Sequence, residues 1–151
     1  ALANSYEELS VKFGSLVSVS PFIKNSGIEM ILGITKDEQF GPLILMGFGG
    51  IYTEVFNQVI LLMPPFDCQV VRNALRELPH YNILHGVRGE SAVDIESYCK
   101  AAVGLSDLAL AFGDCIDEMD INPVKVMAKG CIGLDALLIR SQKKILEIEC
   151  S

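Results

Sequence analysis

Met119-Asp120-Ile121-Asn122-Pro123-Val124-Lys125-Val126-Met127 and Cys131-Ile132-Gly133-Leu134-Asp135-Ala136-Leu137-Leu138 read as two strands around Ala128-Lys129-Gly130. Side chains two residues apart on a strand share a face, so Asp120 and Asn122 point one way while Met119, Ile121 and Pro123 point the other. If Ala128 and Lys129 make a two-residue turn, Met127 pairs with Gly130, and counting back along both strands sets Asn122 opposite Asp135. A three-residue turn would break that register. Opposed residues have Cβ atoms roughly 4.5 to 5.5 Å apart, close enough for an amide oxygen and a carboxylate to converge on one hard cation. Magnesium suits such a pair, because it usually takes only one or two protein ligands and completes its shell with water and phosphate oxygens. Asp135 also lies in an apolar stretch, where an ionised carboxylate is costly unless compensated. A metal would compensate it, and so would a backbone cap or an ion pair with Lys125 or Arg140; the spacing leaves both readings standing.

Working outward, residues 91–112 carry Val93, Ile95, Ala101, Ala102, Leu105, Leu108 and Leu110 at helical spacing, interrupted only by Gly104. A second helix is predicted from Asp67, as cap, to about Leu78, where Pro79 stops it. Residues 27–35 and 43–46 read as strands joined by the polar turn Lys36-Asp37-Glu38-Gln39, and residues 53–63 as a further strand closing on Pro64-Pro65. Alternating serines predict a strand over residues 16–22, and Ser5 followed by Glu8 predicts a capping box opening a short helix over residues 5–12. Strands, then helices, then strands give an α+β fold with helices packed on a largely antiparallel sheet.

The chain has 151 residues, enough for one domain with a real core. Half of the residues are apolar, 21% are charged and the mean hydropathy is +0.39, which argues against disorder. A net charge of -7 argues against nucleic acid as a partner. No apolar run is long enough to cross a bilayer and the amino end does not read as a secretory signal, so no membrane partner and a cytoplasmic location are expected. Cys68, Cys99, Cys115, Cys131 and Cys150 are odd in number and form no CxxC pair, as expected of reduced, mostly core thiols.

Two glycine-bearing stretches are weaker candidates. Gly47-Phe48-Gly49-Gly50 follows a strand and could bring backbone amides close to a phosphate, with Glu54 nearby, although glycines at strand ends commonly just make turns. His85-Gly86-Val87-Arg88-Gly89 places an arginine between glycines, suited to a phosphate or carboxylate and equally to a surface turn. His85 has no identifiable orienting partner and reads as a surface residue.

Taken in order, Gly27-Ile28-Glu29, Phe40-Gly41-Pro42, Gly49-Gly50-Ile51, Glu54, His85-Gly86-Val87-Arg88-Gly89, Asp94, Asp120-Ile121-Asn122-Pro123 and Asp135 resemble the ATP-grasp domain of NDP-forming acyl-CoA synthetases, over nearly the whole chain. The resemblance implies the carboxy-terminal lobe of that domain and the reversible conversion of acyl-CoA, ADP and phosphate to acid, CoA and ATP, through an acyl phosphate and a phosphohistidine. It implies Mg2+ on Asn122 and Asp135, ATP or ADP near Gly49, Gly50, Glu54 and Arg88, and CoA as a substrate of the parent enzyme. The CoA-binding domain, the phosphohistidine domain and the first ATP-grasp lobe would precede Ala1, so a fragment or split subunit is expected, inactive alone. Its partners would be a nucleotide and the remaining synthetase domains or subunits, with room for a homo-oligomer. Two positions depart from the family, Gln58 and Leu62 standing where an acid and an arginine are common. They favour an alternative, a degenerate regulatory or scaffolding lobe of a synthetase-like acyltransferase; a purely structural interaction module is a third reading.

Overall fold

The computed structural model describes residues 2–14, 16, 20–23, 27–50, 59–87, 89 and 91–141. Its elements are α1 (Leu2–Phe13), β1 (Ile28–Asp37), β2 (Gly41–Phe48), β3 (Val59–Leu62), α2 (Cys68–Arg76), α3 (Ile95–Phe112), β4 (Ile116–Val126), β5 (Cys131–Gly133) and β6 (Ala136–Arg140). All paired strands are antiparallel, in the order β3-β2-β1-β4-β5 with β6 also on β4. The α+β expectation holds, with helices backing an antiparallel sheet.

Local chemistry explains the central hairpin. Asp37 Oδ1 accepts the N–H groups of Gln39 at 2.8 Å and Phe40 at 2.9 Å, and Gly41 takes a φ of +75°, so β1 turns tightly into β2. These bonds favour the ionised form and hold the Asp37 carboxyl below its ordinary value.

One face of the sheet is the core. Met30, Leu32 and Ile34 of β1, Ile44, Met46 and Phe48 of β2, and Val124 and Val126 of β4 are all buried beneath α3, which contributes Tyr98, Cys99, Ala102, Leu105 and Ala109. Removing such side chains from water stabilises the fold by about 1.5–3 kcal/mol each. Val71 and Leu75 are the buried residues of α2, which packs on α3. Asp67 caps α2 through a 2.9 Å bond from the Val70 N–H, as the sequence predicts.

Asp94 ties α3 to the last hairpin. Its Oδ1 accepts the Ser97 N–H at 3.0 Å, and its Oδ2 accepts the Ser97 hydroxyl at 2.7 Å and the Gly130 N–H at 2.9 Å. The Asp94 N–H in turn donates to the Met127 carbonyl at 2.7 Å. The Gly130 amide, followed by Ser97, holds the carboxyl down to about 2 from an ordinary 3.8.

Several expectations give way. Ser5 lies inside α1, which begins at Leu2, so it does not cap that helix. Nothing on α1 is buried, and Leu2, Tyr6, Leu9 and Phe13 are exposed. No strand forms at Leu16 or over residues 20–22; residues 17–19 of that expected strand lie outside the described residues, and Leu16 and Phe22 are 98% and 89% exposed. With Leu16 and Phe22 left in solvent, period-two patterning makes no strand at those positions. The strand expected over residues 53–63 is confined, among the described residues, to β3. Of the four described cysteines, all free, Cys99 is buried and its thiol is pushed up to about 11 by burial, while Cys115 is exposed rather than in the core. No helix among the described residues is long and apolar enough to cross a membrane.

Candidate functional site

The turn at Ala128-Lys129 closes with a 3.0 Å bond from the Met127 N–H to the Gly130 carbonyl, with Gly130 at a φ of +76°. From there the register runs Val126↔Cys131, Lys125↔Ile132 and Val124↔Gly133, and resumes as Ile121↔Ala136 and Asp120↔Leu137. Between these two ladders, Asn122 donates its N–H to the Asp135 carbonyl at 3.2 Å and Leu134 donates to the Pro123 carbonyl at 2.9 Å. Asn122 and Asp135 are therefore cross-strand neighbours. The predicted second strand is split into β5 and β6 here because Pro123 has no N–H to give the ladder. On the other edge of β4 the pairing with β1 also shifts register, between Met30 and Leu32.

Both side chains of this pair are exposed, which corrects the expectation of a costly buried carboxylate at Asp135. Asp135 Oδ1 accepts the Ala136 N–H at 2.8 Å, the backbone cap weighed as an alternative. The alternative of an ion pair with Lys125 is overturned, because the Lys125 ammonium bonds Glu29 Oε1 at 3.1 Å. Among the described residues no group of three or more His, Cys, Asp and Glu is arranged to hold a metal. An amide oxygen and a solvent-facing carboxylate still match the sparse protein coordination of a hydrated magnesium.

The glycine stretch is seated on β1. Gly49 donates its N–H to the Glu29 carbonyl at 2.8 Å, and a Cβ there would lie 2.8 Å from the Met30 carbonyl oxygen. Gly50 has a φ of +59°, and a Cβ on it would overlap Glu29 Oε2. The amide of Gly49 is thus spent on the sheet, and this glycine seats the loop rather than offering its own N–H. Glu54 and Gln58, in residues 51–58, and Arg88 lie outside the described residues. Leu62 packs toward the core, paired with Ile44, so its departure from the family pattern concerns packing. His85 is exposed and meets Tyr81 edge-on, with ring centroids 5.0 Å apart, within the helical turn Tyr81–His85.

The ion pair between Lys125 and Glu29 was missed by sequence reasoning. They are directly paired across β1 and β4, on the face opposite α3 by alternation from Met30 and Val124. Their separation in sequence hides the contact, although an outward-alternating lysine between two core valines was a legible signal.

Residues 6–139 match the ATP-grasp domain family. The chain belongs to that family. It is 37% identical over 139 residues to the beta subunit of an ADP-forming acetate–CoA ligase II of Pyrococcus furiosus, covering 91% of this chain and 58% of that subunit. It is 35% identical over 119 residues to the ADP-forming acetate–CoA ligase I of Archaeoglobus fulgidus, covering 79% of this chain and 17% of that ligase. The chain thus spans little more than half of the first relative and a sixth of the second. Among solved structures, a dinucleotide-forming acetyl-coenzyme A synthetase 1 of Ca. Korarchaeum cryptofilum in complex with coenzyme A and Mg-AMPPCP superposes with a TM-score of 0.72 at 34% identity, over 79% of this chain and 55% of that one. The same enzyme with coenzyme A and acetyl-coenzyme A gives a TM-score of 0.78 at 29% identity, over 93% of this chain and 65% of that one.

Proposed function

We propose that this chain is the nucleotide-binding lobe of a cytoplasmic ADP-forming acyl-CoA synthetase, a single lobe that works with further synthetase domains or subunits. The observation that carries the reading is the Asn122–Asp135 pair opposed at β4, together with a glycine loop seated on the neighbouring strand β1, in a fold similar to an acetyl-coenzyme A synthetase solved with Mg-AMPPCP. The parent enzyme would interconvert acyl-CoA, ADP and phosphate with acid, CoA and ATP.

In this reading Asn122 supplies a neutral oxygen and Asp135 an anionic one to magnesium, which when bound neutralises charge on the nucleotide phosphates. Because both side chains are exposed, water and phosphate oxygens would have access to an ion held there. Gly50 brings backbone close to the phosphates, with Gly49 as its anchor, and Glu54 and Arg88 are the further contact candidates. The acid–arginine departure at Gln58 and Leu62 does little for a degenerate lobe, since Leu62 packs toward the core.

Calorimetry of magnesium-dependent ADP binding on the chain joined to its natural upstream sequence tests this, beside the double variant Asn122→Ala, Asp135→Ala. Binding in the parent that disappears in the folded double variant supports the reading. A folded parent that binds no ADP with or without magnesium defeats it.

A further inference from the structure

Lys125 is a charged side chain only 7% exposed, held among the described residues by one carboxylate that is itself 32% exposed. A buried ion pair adds little stability over two well-packed apolar residues, and can add none, because desolvation consumes the Coulombic gain. What such a pair does supply is fixed geometry. Here the fixed partner is Glu29, and Glu29 touches the glycine loop twice: its carbonyl takes the Gly49 N–H at 2.8 Å, and its Oε2 lies where a Cβ of Gly50 would be. Lys125 holds the other carboxylate oxygen, Oε1. One residue of β1 therefore joins a buried cation on β4 to the backbone of the loop after β2.

We propose that Lys125 is a positioning residue for the nucleotide: by fixing the Glu29 carboxylate it sets the height of Gly49-Gly50 over the sheet, and so the place where phosphates dock. The lysine does not touch the nucleotide. Without its ammonium the Glu29 carboxylate is left partly buried and unpaired, turns toward water and displaces Gly50, the residue it lies against. Along β4, Lys125 is three residues from Asn122, roughly 10 Å at strand rise, so the same strand would hold the metal pair and the loop support. This inference rests on the nucleotide-lobe reading.

The test is magnesium-ADP affinity of the full parent protein carrying Lys125→Met, Lys125→Arg or Glu29→Gln, measured well below each variant's melting temperature. Lys125→Met is expected to weaken ADP binding roughly tenfold, the size of coupling found between contacting residues, with Lys125→Arg restoring most of it. Glu29→Gln combined with Lys125→Met should cost no more than the worse single change. A merely structural pair would shift melting temperature and leave affinity of the folded protein unchanged; that result in Lys125→Met overturns the inference. If Lys125→Met does not fold, the near-isosteric Glu29→Gln decides in the same way. Failure of the unmutated parent to bind ADP would instead defeat the nucleotide-lobe reading itself.

Discussion

The two faces of β1 are built to opposite rules. Met30, Leu32 and Ile34 point into a core closed by α3, whereas Glu29 on the other face carries an ion pair and the seat of the glycine loop. Apolar burial is additive and tolerant, and it sets stability. Paired polar groups and glycines contribute little to stability and much to geometry, and in the proposed reading they set where a ligand sits. Parity along β1 divides these tasks in part, since Ile31, of the same parity as Glu29, is also buried.

The largest effect should come from breaking the core face. Leu32→Ala empties a fully buried position and should destabilise by about 2–5 kcal/mol in chemical denaturation, with ADP affinity unchanged in the protein that remains folded. Next comes the opposite face: Asn122→Ala with Asp135→Ala should abolish magnesium-dependent ADP binding yet move stability by no more than about 0.5 kcal/mol, since both side chains are exposed. An equal loss of stability from both changes would erase the distinction between the faces.

Tyr98 crosses from one face's helix to the sheet backbone, its hydroxyl donating to the Ile31 carbonyl at 2.7 Å. Tyr98→Phe should cost about 1 kcal/mol, read from the denaturation midpoint, without altering nucleotide affinity. The smallest effect is one of pH. Asp94 is held near 2 against an ordinary 3.8, so its bonds to Gly130 and Ser97 contribute fully above 3.8 and are lost as pH falls toward 2. Asp94→Asn, which can still cap the helix, should flatten the fall of the melting temperature across that interval; an unchanged slope would remove Asp94 from the acid response.

Much of this was legible in the chain. A two-residue turn at Ala128-Lys129 fixes the register that sets Asn122 against Asp135, because both depend on local spacing alone. Asp67 reads as a helix start for the same reason, whereas the cap at Asp94, inside the stretch 91–112, did not. What escaped was set by distant contacts. The Glu29–Lys125 pair joins residues 96 apart, and the spent amide of Gly49 depends on a carbonyl of β1. The strand expected over residues 16–22 fails at Leu16 and residues 20–22, where Leu16 and Phe22 stay exposed, and the cap assigned to Ser5 fails because α1 begins at Leu2. Glu54 and Arg88, read from their glycine-bearing surroundings and from the resemblance, lie outside the described residues.

The most direct test of the central claim is manganese uptake by the parent protein in place of magnesium, followed by the electron paramagnetic resonance of free Mn2+ with and without ADP. The account predicts that Asn122→Ala and Asp135→Ala each weaken ADP-dependent uptake by roughly tenfold or more, as expected when one of only two protein ligands is removed. Uptake by both folded variants equal to that of the unmutated protein would contradict it.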